Sequence, residues 1–352
     1  MSDELGISKY RNMNGVTCYM NSILSVLQQV PIFCDWIIST DFKKYLKDED
    51  FDNKISYQLH KLFRISMSVN NFNLTPSSLR KVCSEKDSVW GENQQQDSAE
   101  FLQFLLTKIE EEFGQSVIFL PGLSSYDVNS VKKSMEIIKS KIDYQNFLKK
   151  EFSPMKKIFT GLEQTSTICN LCGNKKSNFQ TFSFWELPIP TNKNNNDINL
   201  EECLDLWSEK EKLDDNNRIF CDFCGVKSNV DKFSQIFSPP KLLVIQLKRF
   251  KKNLYGNVVK KIDNRIKFPI ENFNISKYIS KSSCYQDKCN YSLIAVNCHQ
   301  GNPNLGHYYS IVKNRFDDNW YEFNDDMTPS KIINEEQIND PKSYLLFYFR
   351  IN

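Results

Sequence analysis

Apolar residues recur at helical spacing in two segments of the first third of the chain. The first segment runs over Cys18–Val30, and the second runs over about Ser98–Phe113. Their apolar positions are Met20, Ile23, Leu24 and Leu27 in the first segment and Phe101, Leu102, Leu105, Leu106 and Ile109 in the second. This periodicity predicts two amphipathic helices, the second of which Asp97 or Ser98 can cap.

The pattern changes to short β-type runs from about Ile158 onward. These runs stand between turn signals and read STIC, NFQTFSFWELPI, KLLVIQLKRF, YSLIAVNC, HYYSIVKN, NWYEFND and YLLFYF. Residues 123–157, which are rich in Lys and Ser and contain a predicted helix around Val131–Ile142, are interpreted as an insertion or connector. Helices followed by strands predict an α+β fold.

Composition and charge exclude several functional classes. The 352 residues are 40% hydrophobic and 25% charged, which suits a globular protein with a large core. The 45 Lys and Arg residues against 43 Asp and Glu residues imply no bulk attraction to nucleic acid or an anionic membrane. With no signal peptide and no apolar run of ~18 residues, we expect a soluble, monomeric protein, or a catalytic fragment of a longer one, in the cytoplasm and/or nucleus.

Cys18 is a candidate nucleophile because the first predicted helix begins at or just after it. A cysteine attacks as its thiolate, and the positive end of a helix dipole favours that form. The alternative is a small buried cysteine that only packs at a helix start, which is the commoner situation for a cysteine considered alone.

The chain contains three histidines that could serve Cys18 as a base, namely His60, His299 and His307. His60 lies in the helical stretch KISYQLHKLF and is interpreted as an ordinary surface or core residue. His307 follows Gly306 and precedes a β-run, so it would stand at the rim of a strand, a rigid mount for a base. His299, in NCHQG, ends the preceding strand and is left open as a neighbour of the site.

A base also needs a group that orients its ring. The segment NWYEFNDD offers Asn324, Asp325 and Asp326 at the end of a predicted strand, although each also suits an ordinary turn. A cysteine at a helix start, a histidine at a strand start and an Asn or Asp at a strand end together form the hypothesis of a catalytic triad.

Two CxxC pairs stand out among the 11 cysteines. The pairs read CNLC and CDFC, and each is followed by a glycine that suits a tight turn. They consist of Cys169, Cys172, Cys221 and Cys224. If the chain returns the second pair to the first, four thiolates form a closed tetrahedral zinc site. The alternative is a set of redox-active or free cysteines.

The motifs together resemble those of the ubiquitin-specific protease family of cysteine proteases. GVTCYMNSILSVLQ resembles the family's Cys box, and GHYYSIVKN with WYEFNDD resembles its His box. QQQDSAEFLQFLL, KLLVIQLKRF, LEECLDLW and YLLFYFR match further family blocks, so the resemblance runs from about residue 10 to 350. It implies one papain-like catalytic domain shaped like a right hand, with a helical thumb, a β palm and zinc-stabilised β fingers.

The resemblance implies a role for each matching residue. Cys18 would be the nucleophile, His307 the general base and Asn324 the orienting group, with Asp325 assisting. The four CxxC cysteines would hold one structural Zn²⁺. We expect the thumb and connector over residues 1–157, the fingers and the start of the palm over 158–250, and the remaining palm over 251–352.

The resemblance also implies residues that bind the substrate. Asp97 and Glu100 suit the positive end of a helix dipole by themselves. In the family they additionally face the basic C-terminal tail of ubiquitin, and their carboxylates would form ion pairs with the arginines of that tail. The Gly-Gly end of that tail is expected to pass Tyr308 and Tyr309.

One departure from the family concerns the oxyanion. The family usually has an Asn five residues before the nucleophile, where this chain has Met13, whose thioether donates no hydrogen bond. Losing one oxyanion donor typically costs ~10²–10³ in rate. Either Asn12 or Asn14 replaces it, or Asp325 and backbone N–H groups suffice, or the enzyme is slow.

The predicted function is hydrolysis of the (iso)peptide bond after the C-terminal glycine of ubiquitin, with ubiquitinated proteins as partners. Two alternatives are a catalytically weak ubiquitin-binding pseudoenzyme, which Met13 would favour, and a zinc-stabilised interaction scaffold. A ubiquitin-like modifier in place of ubiquitin is a variant of the first hypothesis.

Overall fold

The protein is described from a computed structural model that covers residues 6–40, 42–46, 50–68, 73–113, 137–144, 154–191, 197–253, 258–302 and 305–351. Helices dominate its first part and strands its second, which confirms the predicted α+β class. Of the predicted connector at 123–157, the structure describes only residues 137–144, which are helical, and residues 154–157; the rest of it, including the first half of the helix predicted around Val131–Ile142, lies outside the described residues. The predicted boundaries at 157 and 250 stay predictions.

Two of the helices correspond to the periodic segments. The helices are α1 (Cys18–Leu27), α2 (Pro31–Ile38), α3 (Ile55–Ser68), α4 (Ser77–Lys86), α5 (Ser98–Phe113), α6 (137–144), α7 (Pro154–Phe159) and α8 (Leu200–Ser208). α1 begins at Cys18 as predicted but ends before Val30, because Val30 is already the N-cap of α2. α5 has the predicted bounds, and Asp97 caps it by accepting hydrogen bonds from the N–H groups of Ala99 (2.7 Å) and Glu100 (3.1 Å).

The strands lie mostly after residue 160. They are β1 (Lys9–Tyr10), β2 (Asn73–Leu74), β3 (Gly161–Cys169), β4 (Lys175–Phe182), β5 (Phe184–Leu187), β6 (Ile198–Asn199), β7 (Glu211–Leu213), β8 (Ile219–Cys221), β9 (Val226–Ser228), β10 (Val230–Ser238), β11 (Leu242–Leu247), β12 (Phe250–Lys252), β13 (Val258–Lys261), β14 (Ile266–Lys267), β15 (Phe273–Asn274), β16 (Asn290–Gly301), β17 (Gly306–Lys313), β18 (Trp320–Phe323), β19 (Ser330–Lys331) and β20 (Ser343–Arg350).

A central sheet of eight strands carries the second half of the chain. Its order is β19-β18-β17-β16-β20-β11-β5, with β15 paired to β16. Neighbouring strands are antiparallel except for β5 and β11, which run parallel. A second sheet, of order β4-β3-β10-β7, and the short hairpin β8–β9 lie next to the four CxxC cysteines, because β3 ends at Cys169 and β8 ends at Cys221.

The central sheet is buried on both faces. Alternate residues of β11 belong to different core clusters: Leu242 and Val244 pack with the helices α1 to α5, whereas Leu243 and Ile245 pack on the opposite face with α8. This double burial explains why β11 is a continuous apolar run instead of an alternating one. α1 is buried along its whole length and packs against β16, β17 and α5, so its first residue lies beside the sheet. Within the described ranges, every helix falls short of the length and apolarity that a membrane crossing requires.

Candidate active site

Cys18 stands at the N-terminus of α1, with its side chain 1% exposed. The turn before it is held by two side chains. Thr17 Oγ1 accepts a hydrogen bond from the N–H of Met13, and Asn12 Oδ1 accepts one from the N–H of Thr17, both at 2.8 Å. The sulfur therefore lies in the positive field of the helix end, which favours a thiolate.

His307 is the second residue of β17, the strand on which α1 packs. A hydrogen bond with the Cys18 side chain is the main reason why the pKa of His307 is raised to about 9; partial burial opposes the rise, and a hydrogen bond with Asn324 supports it. An imidazolium with a raised pKa stabilises the folded state fully below the ordinary histidine pKa, and this contribution is lost as the pH rises through about 9. At neutral pH the imidazole is therefore the protonated partner of Cys18.

Asn324 holds the other side of the imidazole. Its Oδ1 lies 2.7 Å from His307 Nε2 and accepts the hydrogen bond when that nitrogen carries a proton. The pairing of Ser310 with Phe323 in the β17–β18 ladder brings the residue after Phe323 next to the start of β17. The His307 ring therefore has both Cys18 and Asn324 as hydrogen-bonding partners, as a triad requires.

Asp325 links the triad to the start of the chain. Its carboxylate accepts hydrogen bonds from Asn12 Nδ2 and Asn21 Nδ2, both at 2.8 Å, and lies 3.8 Å from His307 Nε2. Its backbone is left-handed (φ 51°), and its carbonyl accepts from the N–H of Tyr10 (3.1 Å). Burial raises the pKa of Asp325, while both asparagines and the positive charge of His307 oppose that rise.

The two asparagines that flank Met13 differ in their surroundings. Asn12 is partly buried between Asp325 and Thr17, and Thr17 is the residue directly before the nucleophile. Asn14 is exposed in a left-handed turn position (φ 55°). Asn12 Nδ2 carries two hydrogens, of which one reaches Asp325. Of the two candidates, Asn12 is therefore the one whose amide the structure holds beside the triad.

The other two histidines are packed away from Cys18. His60 is buried between the rings of Phe42 and Tyr57, with its Nδ1 2.7 Å from the carbonyl of Ile37. His299 is 3% exposed and lies behind Gly306, where an added Cβ would come within 2.0 Å of its Nε2. Burial lowers the pKa of His299 to about 4, so its ring is neutral.

A cleft of about 1300 Å³ runs from the start of β17 between α5 and the central sheet. Asp97, Glu100 and Tyr308 are among its lining residues. One Asp97 oxygen caps α5, and the other accepts hydrogen bonds from the hydroxyls of Tyr344 (2.8 Å) and Tyr308 (3.3 Å). Tyr309, which was also predicted to contact the substrate, faces the opposite side of the sheet and donates to Asp340 (2.6 Å). Tyr309 therefore does not line this cleft.

Two residues near the site were missed by the sequence reasoning. Gln95 Oε1 accepts the N–H of Gly306 (2.9 Å), and Asn21 binds Asp325. Gln95 lies in the segment QQQDSAEF and Asn21 in CYMNS, both within motifs that resemble the family's. The motifs therefore marked the segments, but they did not indicate the hydrogen-bond partners of these two residues. These bonds connect segments 211 and 304 residues apart in the chain.

The four CxxC cysteines converge as predicted. Their sulfurs all lie within 4.8 Å of one another, and the pairs Cys169–Cys224 and Cys172–Cys221 are each 3.8 Å apart. With Zn–S bonds of ~2.3 Å, the edge of a regular tetrahedron is about 3.8 Å. The donor set and the spacing therefore fit a tetrahedral metal ion.

Each knuckle of this cluster is closed by the glycine after its second cysteine. Gly173 and Gly225 both have φ of 69°, a left-handed conformation that a side chain would strain. Their N–H groups donate to the carbonyls of Cys169 (2.8 Å) and Cys221 (2.9 Å). Ser228 Oγ lies 3.1 Å from the Cys169 sulfur and can support a thiolate there.

Comparison with known proteins shows which family the chain resembles in sequence. A sequence model of the family described as ubiquitin carboxyl-terminal hydrolase matches residues 10–348. The chain is 28% identical over 347 residues to ubiquitin carboxyl-terminal hydrolase Usp2 of Drosophila melanogaster, covering 98% of this chain and 35% of that protein. It is 26% identical over 349 residues to ubiquitin carboxyl-terminal hydrolase 2 of Bos taurus, covering 97% of this chain and 55% of the relative. The chain thus spans between about a third and about half of these relatives.

The fold has solved counterparts. One is the SAGA Ubp8/Sgf11/Sus1/Sgf73 DUB module bound to ubiquitin aldehyde, which matches with a TM-score of 0.76 and 27% identity over 100% of this chain and 71% of that one. Another, a yeast SAGA DUB module with an Sgf73 mutant, matches with a TM-score of 0.76 and 29% identity over 100% of this chain and 70% of that one.

Proposed function

The chain belongs to the ubiquitin carboxyl-terminal hydrolase family, and we propose that it is a cysteine-type deubiquitinase that cleaves the (iso)peptide bond after the C-terminal glycine of ubiquitin. The observation that carries this proposal is the contact series from Cys18 through His307 to Asn324. The two chain neighbours of His307, Gly306 and Tyr308, line the cleft, and the nucleophile stands at a helix N-terminus.

The chemistry follows from this geometry. The Cys18 thiolate attacks the carbonyl carbon of the terminal glycine, and an oxyanion forms. As the C–N bond breaks, the His307 imidazolium gives its proton to the leaving amine, and a thioester remains. His307, now neutral, takes a proton from water as the water attacks the thioester. The C–S bond breaks, the carboxylic acid of the glycine loses its remaining proton to solvent and leaves as a carboxylate, and Cys18 returns to its thiolate beside an imidazolium.

Asn324 and Asp325 serve this cycle without forming bonds to the substrate. By accepting from His307 Nε2, the Asn324 amide holds the ring so that its other nitrogen faces the sulfur. The Asp325 carboxylate, 3.8 Å from Nε2, favours the imidazolium. An intact set of these contacts favours an active enzyme over a pseudoenzyme.

The substrate tail would enter along the cleft. Glu100 at its exposed rim and Asp97 deeper inside supply carboxylates for a basic tail. Tyr308 narrows the cleft next to Gly306, where two glycines without side chains would pass. Tyr309 has no part in this path, because its ring lies on the other face of the sheet.

A direct test of the function uses ubiquitin carrying a fluorogenic amide at its C-terminus. The protein should release the fluorophore with saturation kinetics, and it should also cleave isopeptide-linked di-ubiquitin. A ubiquitin-like modifier that carries the same fluorogenic amide serves as the second substrate, and the ratio of the two hydrolysis rates shows whether the enzyme prefers ubiquitin or the modifier. No hydrolysis of any of these substrates would leave the binding-only pseudoenzyme as the better reading. A monomeric state and a cytoplasmic and/or nuclear location remain predictions.

Zinc is the metal that the four thiolates fit best, and its role would be structural because no coordination position stays open. Purified protein should contain about one zinc ion per chain. Cys221→Ser should lose most of the metal and lower the melting temperature by roughly 5 °C or more, since metal binding contributes directly to folding. Atomic emission and calorimetry measure both, with the exposed Cys284→Ser as the matched control. Metal-free protein of equal stability would refute a structural site.

The oxyanion hole is expected to use Asn12. Asn12→Ala should lower kcat on the order of 10²-fold with ubiquitin affinity nearly unchanged, because the second Nδ2 hydrogen acts only when the oxyanion forms. Asn14→Ala should keep full turnover, since its exposed amide is not tied to the triad. Met13→Asn should raise turnover only if the hole is deficient.

Steady-state kinetics on the fluorogenic amide measures these three variants. Equal and full activity in both Asn variants, with no gain in Met13→Asn, would remove the asparagines as candidates. Backbone N–H groups at the start of α1 and Asp325 would then be the remaining source of stabilisation.

A further inference from the structure

β16 lies between β17, the strand that carries His307, and β20, and its end extends past the start of β20. β20 begins at Ser343, which pairs with Cys298, so among the strands that the structure describes the last residues of β16 have no partner on that edge. The N–H of His299 still reaches the carbonyl of Lys342 (2.9 Å). Beyond this point the carbonyl of the buried residue His299 needs another donor, because buried carbonyls are rarely left unpaired, whereas Gly301 is exposed.

Lys261 supplies that donor. Its ammonium donates to the carbonyl of His299 (2.8 Å) and to the carbonyl of Gly301 (2.9 Å). A single side chain therefore takes the place of the missing strand. The two carbonyls flank Gln300, and Gln300 is the residue that pairs with His307 in the β16–β17 ladder. Because backbone groups alternate sides along a strand, Gln300 points its own N–H and C=O toward His307.

The hairpin that carries Lys261 makes a second contact with the same strand end. Phe250 pairs with Lys261 across the β12–β13 ladder, and its ring packs edge to face on the His299 ring, with centroids 5.2 Å apart. On the opposite side, Gln95 binds the N–H of Gly306. The turn that leads into His307 is thus held from both sides.

The position of the Lys261 charge is unfavourable by itself. Its side chain is 8% exposed, and the nearest carboxylate is Asp263, 3.8 Å away and 80% exposed. Arg249 and Lys342 add positive charge nearby. The ion pair with Asp263 is long and its carboxylate is exposed, so it offsets little of the cost of burying the ammonium, and the two carbonyl bonds are the main contacts that retain the charge.

We propose that Lys261 is a positioning residue for the general base: it holds the end of β16 in register and thereby places His307 against Cys18. This inference rests on the proposed function only for the roles of those two residues. A small displacement of a catalytic group is enough for a large effect, since ~1 Å can cost on the order of 10² in rate.

Lys261→Met removes the donors while keeping the length of the side chain. We expect kcat on the ubiquitin amide to fall on the order of 10-fold or more with KM nearly unchanged. Alkylation of Cys18 by iodoacetamide at neutral pH should fall similarly, because it reports the pairing of the thiolate with His307. Lys261→Arg, which keeps a cation of similar reach, should recover most of both rates. The neighbouring exposed Lys260→Met is the matched control and should equal wild type.

The alkylation rate keeps this test separate from the test of the function, since it needs no ubiquitin. If the turnover and alkylation rates of Lys261→Met equal those of wild type and Lys260→Met, the positioning role is overturned. The role is also overturned if the loss of turnover and alkylation rate follows a fall in melting temperature in both Lys261→Met and Lys261→Gln, because Lys261 would then have only a general stabilising role. A protein without ubiquitin hydrolysis but with Lys261-dependent alkylation would contradict the function and leave the positioning intact.

Discussion

Cys18→Ala should abolish hydrolysis of the ubiquitin amide while the fold persists. Loss of the nucleophile in the serine protease subtilisin costs on the order of 10⁶ in kcat, and a loss of that size falls below detection here. The substitution removes one sulfur at the start of α1, where the side chain is 1% exposed. We expect a cost of only ~1 kcal/mol in stability, so circular dichroism and ubiquitin affinity should be nearly those of wild type.

A buried cysteine away from the site provides the control for this prediction. Cys34 is fully buried in α2, and burial raises its pKa to about 12, so it is an unreactive thiol. Cys34→Ala should keep wild-type turnover. Substantial hydrolysis by Cys18→Ala, or its loss in Cys34→Ala without unfolding, would mean that the nucleophile has been assigned wrongly.

His307→Ala should lose activity almost as completely as Cys18→Ala, because members of a triad act as a unit. Without the imidazole, Cys18 loses its charged partner and the leaving amine loses its proton donor. Asn324→Ala should be milder than either, since Asn324 orients the ring but transfers no proton. Turnover of the ubiquitin amide across a pH series measures all three variants.

His299 is the internal comparison for this experiment. Its ring is neutral at physiological pH, and it lies behind Gly306. His299→Ala should reduce turnover far less than His307→Ala, through looser packing of Phe250 and Tyr308. If the two histidines exchanged their effects, the assignment of the base would be wrong.

Local patterns in the sequence were sufficient for the elements that carry the site. The bounds of α5 and the start of α1 follow from apolar spacing and a capping residue, which are properties of short segments. The convergence of the four cysteines followed from ligand chemistry, because two CxxC knuckles with the same following glycine suit one ion.

Two details of the site were not predicted, for different reasons. The separation of Tyr308 and Tyr309 onto opposite faces could have been predicted, because adjacent residues of a strand face opposite sides of a sheet. The contacts of Asp325 with Asn12 and Asn21 could not, because they join residues more than 300 positions apart. No local pattern reports a partner at that distance, so the choice between Asn12 and Asn14 also needed the structure.

The departure at Met13 has a structural counterpart. The amide of Asn12, one position earlier in the chain, binds both Asp325 and the N–H of Thr17. The residues of this chain therefore hold an amide beside the nucleophile although the expected position has none. This arrangement weakens the argument for a pseudoenzyme that Met13 suggested.

The most direct test of the account is covalent labelling with ubiquitin that carries a C-terminal vinyl sulfone. The warhead stands where the scissile carbonyl would be, so it reacts only with a nucleophile at the end of the tail-binding cleft. We predict one ubiquitin added per chain, with the modification mapped by mass spectrometry to Cys18 and absent in Cys18→Ala. Labelling that persists in Cys18→Ala, or no labelling of a folded wild-type protein, would contradict the account.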